Sequence, residues 1–295
     1  MSSPSKGLSK GLGMLALAGS LWWAGEAPAQ TTTIDQLRSS KTLRLGYDAD
    51  APPFSYVAPG SPTGTAPQGY SIDLCRAVAD KLKDQLKIPD LKVAYVPVDT
   101  ANRFEAITGN KADLLCEAAT ATLSRRAIVD FSIAIFIDGA SFAIRSDGPR
   151  DGKLLAGKKV AVLPSTTTEQ ELRRALAANQ INAEVVLVKT NQEGLELLDK
   201  GSVVAYYADR STLTFLLQRE KQFSNLLLAD TYLSIEPIAL ALRRGDSDFR
   251  LAVDTALSHI YRRGEIMPIF LTAFGPKSPP SAMLTALYQI SALPD

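Results

Sequence analysis

Thr120 and Arg125 stand five residues apart in the run CEAATATLSRRAIVDFS, residues 116–132. An apolar segment, 112–115, precedes them, and the hydrophobic stretch around Phe131 follows. An Arg guanidinium is a planar fork that donates two parallel charge-assisted hydrogen bonds to a carboxylate. With a hydroxyl and exposed backbone N–H groups beside it, it makes a cradle for a small anion. A second cradle lies at Ser165-Thr166-Thr167, where a helical pattern begins that runs to about residue 178. The first N–H groups of a helix have no partner inside it, so a helix N-terminus is itself an anion site. These residues suit the holding of a carboxylate; whether that carboxylate is also converted must be read elsewhere.

Composition narrows the partner. Lys6 and Lys10 form a weakly basic start, residues 12–25 are a short apolar run with Trp22 and Trp23, and Ala27-Pro28-Ala29 gives the small-x-small pattern before a signal-peptidase cut. Residues 1–29 therefore read as a signal peptide cleaved near Ala29, and the chain as exported. No later segment approaches the roughly 18 apolar residues of a membrane helix, so the mature chain is not expected to span a membrane. It keeps 266 residues (295 − 29), with 30 basic (32 − 2) and 30 acidic (31 − 1) side chains. That balance argues against nucleic acid or an anionic membrane surface as partner. One histidine and two cysteines cannot build the usual four-ligand zinc site, and neither metal nor cofactor is expected. A Ser-His-Asp triad would have to use His259, which lies in a strongly periodic stretch and reads as an ordinary helix residue. Cys75 falls in a helical pattern and Cys116 ends a strand-like run. In an oxidising compartment a disulfide between them and two buried free thiols both stay open.

The elements that must position these residues alternate. Residues 42–46 read as a strand, and a Pro-rich loop at 48–67 leads to a helix at 71–82 with Ser71 as its N-cap. Strands at 91–97 and 112–116 flank a short helix at 102–108 that Gly109 ends. A second unit repeats the scheme, with strands at 158–163, 183–188 and 203–207 and helices at 166–178 and 191–200. The expectation is an α/β protein of two lobes, joined by a two-strand hinge at 140–145 and 238–243, after which a helical segment at 246–273 returns to the first lobe. The first lobe spans 30–138, the second 139–237 and the return 238–275, with a tail at 276–295 expected to dock a helix on the first lobe. Ligands in such folds bind outside the carboxyl ends of the strands.

The order LRLGYDADAPPFSY, GYSIDLC, TANRFEAITGNKADLLCEAAT, SRRAIVDFS, LPSTTTEQ and AYYAD resembles the family 3 bacterial solute-binding proteins, over roughly residues 41–275. The likeness is to their glutamate/aspartate-binding branch, through NRF and the C-x-x-x-T-x-x-x-x-R spacing. It implies a type II periplasmic binding fold with the ligand cleft between the lobes. It also implies a monomeric periplasmic receptor that hands a polar amino acid to an inner-membrane ABC permease, with glutamate or aspartate as leading candidate. Carried over by position, Arg125 holds the ligand α-carboxylate, Thr120 bonds the ligand backbone groups, and Thr166 and Thr167 add hydroxyl and N–H donors. Asp209 takes the α-ammonium, Arg103 and Thr100 reach the side-chain end, and Phe54 and Tyr47 wall the pocket.

Three positions depart from that branch. Asp48 stands where an Arg for a distal carboxylate is expected, Ala118 replaces a ligand-bonding Ser, and Asn191 replaces a His. An acid at position 48 favours a cationic or amide end, while Arg103 argues the other way. Two further functions fit the same scaffold. A cyclohexadienyl-dehydratase-like enzyme would need a general acid such as Glu117. A sensor-type ligand-binding domain would need a transmembrane helix or signalling module, and neither is read in these residues.

Overall fold

The computed structural model describes residues 1–2, 31–148, 155–219 and 221–294. Residues 3–29 of the expected signal peptide, with its cleavage site, lie outside the described residues. Helix α1 (Thr33–Ser40) precedes strand β1 (Thr42–Asp48), and the small hairpin β2 (Asp50–Ala51) and β3 (Ser55–Tyr56) follows. Then come helix α2 (Tyr70–Gln85), β4 (Lys92–Val98), α3 (Arg103–Thr108), β5 (Leu114–Leu115), the short α4 (Leu123–Arg126) and β6 (Val129–Asp138). The chain next builds β7 (Ala140–Arg145), β8 (Lys159–Val162), α5 (Thr167–Ala178), β9 (Glu184–Leu187), α6 (Asn191–Asp199), β10 (Ala205–Asp209), α7 (Arg210–Arg219) and β11 (Leu226–Leu228). It returns through β12 (Glu236–Arg243) and ends in α8 (Ser247–Arg262), α9 (Ile266–Phe274) and α10 (Ala282–Ser291).

Two five-stranded sheets result. The first has the order β4-β1-β5-β12-β6, with β1 parallel to β4 and β5, and β12 antiparallel to β5 and β6. The second has the order β11-β7-β10-β8-β9, with β8, β9 and β10 parallel and β7 antiparallel to both neighbours. The parallel strands are joined by helices, as crossover connections require. Each sheet carries apolar clusters on both faces, the largest formed by β1 and β12 with α2, α8, α9 and α10.

The hinge differs from the sequence reading. Residues 140–145 and 238–243 lie wholly inside the two sheets; the crossings are at Gly139, between β6 and β7, and at the approach to Glu236. A side chain at Gly139 would put its Cβ 2.0 Å from the Ser234 carbonyl oxygen, so the two crossing segments run closer than any residue but glycine allows. Glu236 faces Asp138 in the strand register beside it.

Ser71 is not a cap either. Gly69 starts α2 at φ 126°, and the Pro53 and Phe54 carbonyls accept from the N–H groups of Tyr70 and Ser71. The freed Ser71 hydroxyl donates to the Glu117 carbonyl oxygen at 3.0 Å. Cys75 of α2 is bonded to Cys116, just beyond β5. At the other end α10 packs on β6 and α8, and the Tyr288 and Tyr70 hydroxyls lie 2.9 Å apart.

Candidate ligand-binding site

The carboxyl ends of β1, β5 and β10 and the start of α5 converge on a cavity of about 270 Å³ between the two sheets. From the first lobe Asp48, Asp50, Thr100, Arg103, Glu117 and Ala118 line it; from the second, Thr166, Thr168, Asn191, Tyr207, Asp209 and Thr212. Direct contacts join the lobes around it. Asn191 donates its backbone N–H to Asp50 Oδ2 at 2.7 Å and its side-chain amide to the Asp50 carbonyl at 2.5 Å. Arg103 Nη2 donates to the Ser165 carbonyl at 3.4 Å, and the rings of Tyr56 and Phe215 meet edge to face at 5.4 Å.

Arg125 is positioned by a short helix. Thr122 caps α4 by accepting the Arg125 N–H at 3.1 Å, and Arg125 Nη1 donates to the Thr120 carbonyl at 2.9 Å. Its guanidinium lies over the Phe104 ring at 5.2 Å, as does that of Arg103 at 5.1 Å. Burial and the neighbouring Arg103 lower the Arg125 pKa to about 10, while Glu117, Glu236 and Asp209 oppose the shift. The group stays cationic at neutral pH and lies next to the cavity rather than on its wall.

Asp209 ends β10, two residues beyond the strand expected from the sequence, and accepts from the Thr168 hydroxyl at 3.1 Å. Burial first, and Glu236 second, push its carboxyl up to about 6. Thr166 is the N-cap of α5: its hydroxyl accepts the Glu169 N–H at 3.0 Å and donates to the Leu163 carbonyl at 2.9 Å. With both hydroxyl functions engaged in the cap, the first-turn N–H groups are what α5 offers to an anion.

Thr120 and Thr167 turn away from the cavity to Glu236, a residue that no sequence pattern had singled out. The sequence pattern begins this strand only at Ile238, so Glu236 falls outside it and draws no attention, although β12 starts there. Thr168 was missed as well, since it looks like one more residue of the cap.

Arg103 does not stand open. Its Nη1 donates to Glu117 Oε1 at 2.7 Å in a buried ion pair, while Nε is a buried donor with no partner among the described residues. Asp48 accepts the Asp50 N–H at 2.8 Å; burial, then Glu117, push its carboxyl up to about 7. Phe54 must be corrected: it is fully buried among Tyr70, Phe136 and Phe274. The turn holding the start of α2 carries its ring into the core rather than into the cleft. Tyr47, packed edge to face on Tyr95 at 6.2 Å, is likewise off the cavity wall.

A cleft between two α/β lobes, walled by carboxylates, guanidinium and a helix start, can hold a zwitterion. The family model of the bacterial extracellular solute-binding proteins, family 3, matches residues 43–276. The chain belongs to this family. Among its relatives, the L-glutamate/L-aspartate-binding protein of Pseudomonas aeruginosa is 29% identical over 256 residues, 86% of this chain and 83% of that protein. Among solved structures, an ancestral arginine-binding protein bound to glutamine is 27% identical with a TM-score of 0.68, covering 80% of this chain and 98% of that one. The ancestral amino acid-binding protein described as a precursor of cyclohexadienyl dehydratase is 25% identical with a TM-score of 0.70, covering 82% and 100%. The fold is that of the type II periplasmic amino-acid-binding proteins. Among the described residues no helix is long and apolar enough to cross a membrane.

Proposed function

We propose that the chain is a periplasmic receptor that closes on an α-amino acid and delivers it to an ABC permease. The observation that carries this reading is the charge arrangement at one end of the cleft. Arg125 and the N-terminus of α5 suit a carboxylate, and Asp209 suits an ammonium within the same electrostatic cluster. Both partners of a zwitterion would then be matched in a water-poor site, where charge-assisted hydrogen bonds are strongest. Closure of two lobes about a hinge supplies the motion, as in periplasmic binding proteins generally. The relatives support the ligand class, since one binds glutamate and aspartate and another, an arginine-binding protein, holds glutamine.

A thermal-shift screen of the twenty amino acids against the mature protein tests the reading. A ligand bound only by the native state raises the melting temperature, and at least one amino acid should do so. Arg125→Ala should abolish the shift for every ligand. No shift with any amino acid sinks the proposal.

The likeness to a precursor of cyclohexadienyl dehydratase favours one second reading, an enzyme on this scaffold. The group it would need as general acid, Glu117, is tied to Arg103. Turnover of a prephenate-type substrate by the purified protein would decide for the enzyme.

A further inference from the structure

Arg103 and Glu117 both belong to the first lobe, so their ion pair needs nothing from the second. The pair is dry: the side chains are 6% and 1% exposed, with 2.7 Å between Nη1 and Oε1. Among the described residues Arg103 is the one buried cation on the cavity wall, and Glu117 is also part of that wall. A ligand carboxylate that reached Arg103 would have to displace Glu117 or crowd beside it. The first leaves a buried carboxylate unpaired; the second sets two like charges together.

The charges around this pair point the same way. Given the reading of the cleft as an amino-acid site, on which this inference rests, Arg125 and Asp209 match the ligand's α-groups. That leaves Asp48, Asp50 and Glu117 against Arg103 at the remaining end, a formal charge of 1 − 3 = −2. Asp99 and Lys189 also border the cavity, but both are exposed and opposite in sign. A cationic ligand side chain would bring the end to −1, a neutral one would leave −2, and an acidic one would take it to −3.

We propose that Glu117 is a built-in counter-ion that closes Arg103 to acidic ligands, and that the side-chain end formed with Asp48 and Asp50 selects an amino acid carrying a cationic side chain. Without a cation, burial and then Glu117 push the Asp48 carboxyl up to about 7, so the formal charge of −2 is reached in full only when a cation is in reach. An ammonium or guanidinium in reach would take that carboxylate's charge as its partner.

Titration calorimetry of the mature protein with arginine, lysine, ornithine, glutamine, glutamate and aspartate tests this directly. A basic amino acid should bind at least about 100-fold more tightly than glutamate, the scale that like-charge juxtaposition imposes. If a neutral or acidic amino acid binds most tightly, the proposal is overturned while the receptor reading stands. If none of the twenty amino acids binds, the receptor reading falls and this inference with it. Glu117→Gln frees Arg103 and should cut the basic preference by about tenfold or more; an unchanged ranking removes Glu117 from the role. Asp48→Asn leaves the ion pair intact, should shift the ranking in the same direction, and serves if Glu117→Gln does not fold.

Discussion

Thr120 of the first lobe and Thr167 of the second donate to the same carboxylate oxygen, Glu236 Oε2, at 2.6 Å each. Glu236 stands at the return crossing of the hinge, where Ser234 also donates to it. One acid thus joins both lobes and the strand about which they would turn. Hydrogen bonds to a charged group contribute ~1.5–3 kcal/mol. Glu236→Ala should therefore weaken amino-acid binding by roughly ten- to a hundredfold through loss of the closed form. Small-angle scattering would show the larger radius of gyration of an opened molecule with ligand present; an unchanged radius and affinity would rule out a latch.

The cleft carboxyls set a pH dependence. Asp48 is pushed up to about 7 and Asp209 to about 6, each by burial first. Asp48 faces Glu117, Asp50 and Arg103; Asp209 faces Glu236, Thr168 and both arginines. An acid whose pKa is higher in the fold than in the unfolded chain keeps its proton on folding. Its stabilising contribution is complete below about pH 4 and fades as the pH rises through 6 to 7. Ligand-free protein should accordingly lose stability from pH 5 to 8, on the order of a few kcal/mol in denaturant titration. A cationic ligand reverses the sign for binding, because it favours ionised Asp48. Its affinity should rise over pH 5 to 7.5 with proton release, visible as a calorimetric enthalpy that depends on the buffer.

Much of the fold was legible because hydrophobic period and breakers mark most of the strands and helices, and N-caps such as Thr166 announce their helices. The boundaries of β10 and β12 were read two residues off, and that small error hid Glu236 and put Asp209 outside its strand. Site chemistry was less legible than site position. Arg103 and Glu117 are fourteen residues apart, and nothing local says that α3 delivers one to the other. Phe54 lies in a Pro-rich loop, where only the packing of α9 against α2 reveals that its ring belongs to the core. Thr120 and Thr167 could be placed at the cleft, but not their common acceptor, since three distant segments meet there.

The Cys75–Cys116 bond joins α2 to the segment carrying Glu117, closing a separation of 41 residues. Such a link removes chain entropy from the unfolded state, typically worth ~2–4 kcal/mol. Reduction, or Cys75→Ala with Cys116→Ala, should lower the melting temperature by several degrees or more. Because Glu117 is the next residue and Ser71 of α2 also holds its carbonyl, the order of ligand preference should survive. A reduced protein with altered preference would show that the disulfide also aligns the Arg103–Glu117 pair.

Gly194 in α6 is a close-approach position: a Cβ there would lie 2.2 Å from Cε2 of the Tyr206 ring and 2.5 Å from Cδ2. Tyr206 is fully buried, and its hydroxyl donates to Asn191 Oδ1 at 2.7 Å. Asn191 in turn holds Asp50 across the cleft. Gly194→Ala must therefore push the ring, and with it the amide that clasps the first lobe. Overpacking of this kind costs ~1–3 kcal/mol of stability. Affinity should fall as well, whereas Tyr206→Phe, which keeps the ring in place and removes only the hydroxyl, should affect affinity more than fold. If Gly194→Ala melts lower but binds its amino acid as tightly as the parent protein, the ring does not transmit to the clasp, and Asn191 is held by its helix N-terminal backbone alone.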